Sequence, residues 1–184
     1  KQLRSTTDVI AMLPRSNGGW YLVNEIGFSS VYIDPENARR HQRFYHGPVQ
    51  ARAIDKDGQQ QWTTIFKRWT DSEDPILGRS YPMTYNDQLY MFLWDSDNTA
   101  EARKAGEKIK PEGTTGLYTI YASFDDKGLV RTKPVLRVDN DEVLIGGWKA
   151  VRCGKDEYWA FGTGSLITVE YLPVRIDFIK ETKK

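Results

Sequence analysis

Arg39, Arg40 and Arg43 form a short basic cluster that runs directly into Phe44 and Tyr45. Guanidinium forks match the oxygens of sulfate and phosphate, and aromatic faces accept sugar or base rings. The cluster, with Tyr45, therefore marks a candidate site for a sulfated glycan, a phosphate or a nucleic-acid strand. Its plainer alternative is a solvated loop whose arginines pair with the abundant Asp and Glu. A second candidate is Trp94-Asp95-Ser96-Asp97-Asn98-Thr99, which follows an apolar run. Trp94, Asp95 and Asp97 could together contact a ligand. Closely spaced carboxylates also attract calcium, but an EF-hand loop needs Gly at its sixth position and an acid at its twelfth. Counted from Asp95, those places hold Ala100 and Gly106. A looser calcium site shared with Asp71, Glu73 or Asp74 stays open. The structural alternative is a turn with an Asx cap that opens a helix.

The other reactive residue types are sparse. His41 and His46 are the only histidines, and Cys153 is the only cysteine. A structural zinc site takes four ligands, and the neighbouring arginines raise the cost of adding a dication. Cys153 sits in a strand-like pattern and is predicted to be a small buried or half-buried residue. Gly162-Thr163-Gly164-Ser165 lacks the lysine and spacing of a phosphate loop and is read as a turn. A nucleophile elbow of the G-x-S-x-G type is absent. No catalytic residue, metal or cofactor is expected, and the chain is read as non-enzymatic.

The elements that must position these residues are mostly strands. Runs rich in Val, Ile, Thr, Tyr, Phe and Trp are punctuated by Gly, Asp and Asn. Trp20–Ile26 and Ser29–Ile33 are two short candidates. Residues 49–54 alternate and return through an Asp57-Gly58 turn to 62–69. Gln88–Trp94 is almost continuously apolar, which predicts a strand buried on both faces. Gly116–Phe124 pairs with 129–138, where Pro134 predicts a sheet edge or a bulge. Segments 143–145, 148–153 and 157–161 read as a tight meander, and 166–179 as a long strand with a bulge or bend at Pro173. Asn98 or Thr99 is expected to cap a surface helix over 100–108, and Thr7 a short turn ending at Pro14. The total is about nine to eleven strands and one or two short surface helices. Most of the six Trp should be core. Residues 71–88 and 95–113 hold the longest predicted loops.

This pattern predicts an all-β fold: an antiparallel barrel, sandwich or jelly roll, formed by residues 1–184 as one β-rich domain excised from a longer protein. Hydrophobic residues are 39% of the chain and charged residues 28%, ordinary for a globular domain. A net charge of +1 lacks the excess of Lys and Arg needed to capture nucleic acid broadly. No apolar run approaches the roughly 20 residues that span a bilayer as a helix.

Two strings carry resemblances. The Asp95-Ser96-Asp97 string resembles the D-x-D-x-T motif of haloacid-dehalogenase-type phosphatases, with Asn98 where a glycine is usual. The resemblance implies Asp95 as nucleophile and Asp97 as acid, on a parallel sheet flanked by helices that the surrounding sequence does not supply. Separately, Gly164-Ser165-Leu166-Ile167-Thr168-Val169-Glu170-Tyr171-Leu172-Pro173-Val174 resembles the last shell strand of small RNA-virus capsid proteins, and Gly116–Tyr121 echoes it. The chain departs from that pattern at Pro173 and lacks a basic N-terminal arm. The resemblance implies a capsid jelly roll or protruding spike domain: a virion-surface protein that forms a homodimer or higher assembly and presents loops to a host glycan or protein receptor. A carbohydrate- or peptide-binding β module of a cellular protein is the alternative, and a phosphatase using Asp95 and Asp97 the third reading.

Overall fold

The structure, a computed structural model, describes residues 4–73, 78–109, 116–137, 144–145, 151–154, 157–163 and 171–178. Three open antiparallel sheets account for nearly all of them. The first follows chain order, β1 (Arg4–Pro14), β2 (Trp20–Ile33), β3 (Arg40–Ile54) and β4 (Gln60–Phe66), and short β5 (Thr70–Ser72) pairs with the far end of β3. The second is a meander of β6 (Tyr81–Tyr85), β7 (Gln88–Ser96), β8 (Leu117–Phe124) and β9 (Val130–Arg137). In the third, β10 (Leu144–Ile145) and β11 (Val151–Arg152) both pair with β12 (Glu157–Thr163), whose other side takes β13 (Tyr171–Asp177). The one helix among the described residues, α1 (Asp97–Ala105), joins β7 to β8.

The sheets stack, and side-chain alternation shows how. Tyr21, Val23, Val49, Ala51, Ala53, Trp62 and Phe66 of the first sheet bury against Leu89, Met91, Leu93, Ile120, Ala122 and Phe124 of the second. Opposite-parity residues of the second sheet, Met83 and Phe92 with Tyr90 and Tyr121, pack on Tyr158, Ala160, Val174 and Ile176 of the third. Strand β7 is therefore apolar on both faces because both of its faces are covered, as its unbroken run predicts. Each large apolar side chain so buried contributes roughly 1.5–3 kcal/mol.

Turn chemistry fixes the registers. Between β3 and β4 the Asp55 carboxylate accepts the amides of Asp57 and Gln59, at 3.0 and 2.8 Å, while Gly58 takes φ +82°. The hairpin thus closes with a three-residue loop and a left-handed glycine rather than a two-residue turn. The β8–β9 turn repeats it: the Asp125 carboxylate accepts Lys127 and Leu129, at 2.9 and 2.8 Å, with Gly128 at φ +77°. Pro134 sits on edge strand β9, at a register shift opposite Thr119 and Ile120, so both expected devices are present.

Several boundaries differ from expectation. The segment around Thr7 is strand β1 rather than a capped turn; a bulge between Val9 and Ala11 hides its alternation. The two candidates within 20–33 form one strand, β2, bulged between Glu25 and Gly27. Residues 40–46 extend β3 instead of forming a loop. Ser96, earlier than expected, caps α1: its Oγ accepts the Thr99 amide at 3.1 Å. Pro173 lies in a continuous register on β13, which needs no bulge because β12 is its one partner among the described residues. Cys153 is exposed in the turn before β12. The capsid-like string 164–174 lies outside the described residues up to position 170, as do 74–77 and 110–115 of the long loops.

Candidate attachment site

Strands β2 and β3 run past their neighbours. Pairing with β1 ends at Ser29 and pairing with β5 ends at Phe44, so 30–33 and 40–43 pair only with each other among the described residues. This two-stranded ribbon is closed by an Asx-stabilised turn. The Asp34 carboxylate accepts the Glu36 amide at 2.9 Å and Asn37 Nδ2 at 2.6 Å, and Asn37 Oδ1 accepts the Arg39 amide at 2.9 Å. Ala38 takes φ +55°, an uncommon conformation for a side chain with a Cβ. With little packed against it, the ribbon leaves Val31, Tyr32 and Ile33 at 39, 41 and 66% exposure. The Tyr32 ring stacks on His41 at 5.0 Å.

The predicted basic cluster lies on this ribbon and divides by role. Arg39 and Arg40 are exposed at its closed end, with no ion-pair partner among the described residues. Arg43 bonds Asp71 on β5 at 2.8 Å and helps hold the ribbon base. Tyr45 stacks on Phe28 at 4.4 Å, and Phe28 meets the edge of Trp69 at 5.5 Å. Those three rings buttress the root of the ribbon.

Beneath the root lies a cleft of about 260 Å³, lined by residues that include Asp8, Glu25, Phe44, His46 and Arg79. The bulges of β1 and β2 both fall at its wall, and bulges re-aim side chains in this way. Glu25 is buried at its floor, paired with the fully buried Arg68, while its second oxygen accepts the Ser80 amide at 3.3 Å. His46 Nδ1 stands 3.8 Å from the same carboxylate. Burial raises the Glu25 pKa above the ordinary glutamate range, against the opposing pull of Arg68. At the rim, Arg79 and Asp8 face each other at 3.8 Å. Sequence reasoning missed Glu25; the available signal was an Asn-Glu pair inside an otherwise apolar strand.

The remaining predicted residues lie at the end of β7 and the start of α1. Trp94 is fully buried and offers no face to a ligand. Asp95 is also buried, in an ion pair with Arg103 of α1, whose guanidinium donates to the Lys67 carbonyl at 2.9 Å and lies 4.3 Å from the Phe66 ring centre. Burial raises the Asp95 pKa, and the Arg103 contacts oppose the shift. Asp97 is the exposed first residue of α1, where a carboxylate favours the helix dipole. The aspartates thus clip and start a helix on an antiparallel sheet, and the parallel strand that the phosphatase resemblance implies is not there. The described residues hold no cluster of three or more metal-ligating side chains, and no described helix is long and apolar enough to cross a membrane. The chain matches no family model, and neither curated proteins nor solved structures give a match.

Proposed function

We propose that this chain is an attachment and assembly domain, displayed at a virion surface or another extracellular face, that engages its receptor through the β2–β3 ribbon. One observation carries the reading: the ribbon holds three adjacent large apolar side chains out of the core beside two open arginines. An unguarded ribbon edge is a template for strand pairing, and exposed apolar patches mark contact surfaces. The arginine pair adds a sulfated glycan or an acidic protein face as partner chemistry.

The test is binding of labelled protein to receptor-bearing cells, with heparin as competitor. Val31→Ser with Ile33→Ser, and separately Arg39→Glu with Arg40→Glu, alter exposed positions and should leave the fold intact by circular dichroism. Each pair should weaken binding at least about tenfold, which corresponds to about 1.4 kcal/mol. Loss confined to the arginine pair, with heparin competition, identifies a sulfated glycan. Wild-type protein that binds no cell surface, or variants that bind as well as wild type, would defeat the proposal. The cleft supports a second reading, a binding module for one sugar ring or one peptide side chain, because its volume suits a ligand of that size.

A further inference from the structure

Strand alternation assigns the side chains around the cleft to one face of the first sheet. Beyond the β2 bulge, Gly27 pairs with His46 and Ser29 with Phe44. Successive side chains point to opposite faces, so Ser29, Phe44 and His46 share the cleft side with Glu25 and Asp8, which are cross-strand partners themselves. Phe28 and Tyr45 also border the cleft, but their rings stack on each other on the reverse side. The half-buried Phe44 therefore supplies the aromatic face of the cleft side. The same parity continues up the ribbon, where Val31 pairs with Gln42 and Ile33 with Arg40. The cleft thus opens onto the ribbon face that carries Val31 and Ile33, while Tyr32 and His41 stack on the other.

Among the described residues, the carboxylates and guanidiniums of the cleft form two opposed pairs: Glu25 with Arg68 at the floor, and Asp8 with Arg79 at the rim. A charged ligand would add an uncompensated charge to a partly desolvated site, which is costly. An uncharged ligand would not. Hydrogen-bonding capacity is nevertheless left over. An ionised carboxylate accepts at about four positions, and Glu25 receives two donors among the described residues, Arg68 and the Ser80 amide. Asp8 and Arg79 are both about half exposed and stand 3.8 Å apart, too far for a direct hydrogen bond. A hydroxyl between them can donate to one and accept from the other. The cleft therefore asks for an uncharged molecule with several hydroxyls and one apolar face to lie on Phe44. Its volume of about 260 Å³ lies just below the roughly 300–1,000 Å³ of sites for drug-sized ligands, which suits one ring.

We propose that the cleft binds one uncharged sugar ring, stacked on Phe44, with its hydroxyls shared between Glu25 at the floor and the Asp8–Arg79 pair at the rim. A substituent on that ring leaves along the ribbon face that carries Val31. This rests on the second reading of the cleft given above and does not depend on the arginines at the ribbon tip.

Amide NMR titrations of the whole chain test it, with free glucose, galactose, mannose, fucose and N-acetylglucosamine as neutral sugars. Glucuronic acid is the charged sugar, and blocked asparagine, lysine and leucine stand for peptide side chains. At least one neutral sugar should shift the amides of Ser29, Phe44 and Arg79, with a Kd of about 1–10 mM. Glucuronic acid should bind at least about tenfold more weakly. A phenyl glycoside of the sugar that binds should extend the shifts to Val31 and Gln42, and shifts that spread elsewhere instead overturn the exit direction. Asp8→Asn and Arg79→Gln alter exposed positions, should melt like wild type, and should each weaken binding about three- to tenfold. Phe44→Leu, which keeps an apolar side chain but removes the flat face, should weaken it about tenfold. Binding that none of these three variants weakens overturns the inference. Shifts of the same amides by a blocked amino acid and by no neutral sugar overturn the sugar assignment and leave the cleft a binding module. If no probe shifts them, both readings of the cleft fall.

Discussion

Glu25 and Arg68 form a pair whose members fail differently. A buried carboxyl can neutralise itself by taking a proton, while a guanidinium stays charged at any usable pH. Burial raises the folded-state pKa of Glu25, so the folded chain holds that proton to higher pH than the unfolded chain. The associated stability is complete below the ordinary glutamate range and is lost as pH rises through the raised value. Asp95 has the same sign. Arg68→Met should therefore destabilise the protein most at neutral pH and recover as the pH falls and Glu25 protonates. Glu25→Gln leaves Arg68 uncompensated and should cost about 3–5 kcal/mol, with little recovery in acid. Urea melts of both variants at several pH values separate the two, and an Arg68→Met penalty that does not shrink in acid contradicts the account. In the sequence, Glu25 was visible only as a polar interruption. Its partner lies on a distant loop segment, and no local pattern pairs the two.

Elements covered on both faces, or positioned by turn chemistry, were legible. The apolar run of β7 and the donor lost at Pro134 are local facts with local consequences. The ribbon was legible only in its first half: Ser29–Ile33 reads as strand, whereas no apolar alternation marks 40–43. Strand β1 was masked differently, by a bulge that shifts its parity at residue 10. The two equivalent turns provide an element-level test. Alanine at either glycine must adopt a left-handed backbone, which costs about 1–2 kcal/mol. Gly128→Ala must also displace Trp62 or Thr64, whereas Gly58→Ala meets open space. Thermal melts at low concentration should show Gly128→Ala clearly the less stable, and equal losses would contradict the packing described for that turn.

For the whole molecule, an antiparallel all-β architecture followed from strand density and the absence of alternating amphipathic helices. Its three-layer order did not. Which sheet lies in the middle depends on contacts between residues far apart in sequence, such as Tyr158 on β12 with the Thr84 carbonyl of β6 at 2.6 Å. The site was legible only in part: the arginines were flagged, but the ribbon that projects them and the cleft beneath it arise from pairing registers and bulges. The sandwiched position of the second sheet has a consequence for cutting the chain. A polypeptide stopped after Arg137 would lose the cover over Met83, Phe92 and Tyr121, turning an interior surface into an adhesive one. Such a fragment should precipitate or melt without cooperativity in calorimetry, and the 184-residue chain should unfold in one transition. Libraries that shorten or split this chain would then recover soluble clones only where all three layers travel together.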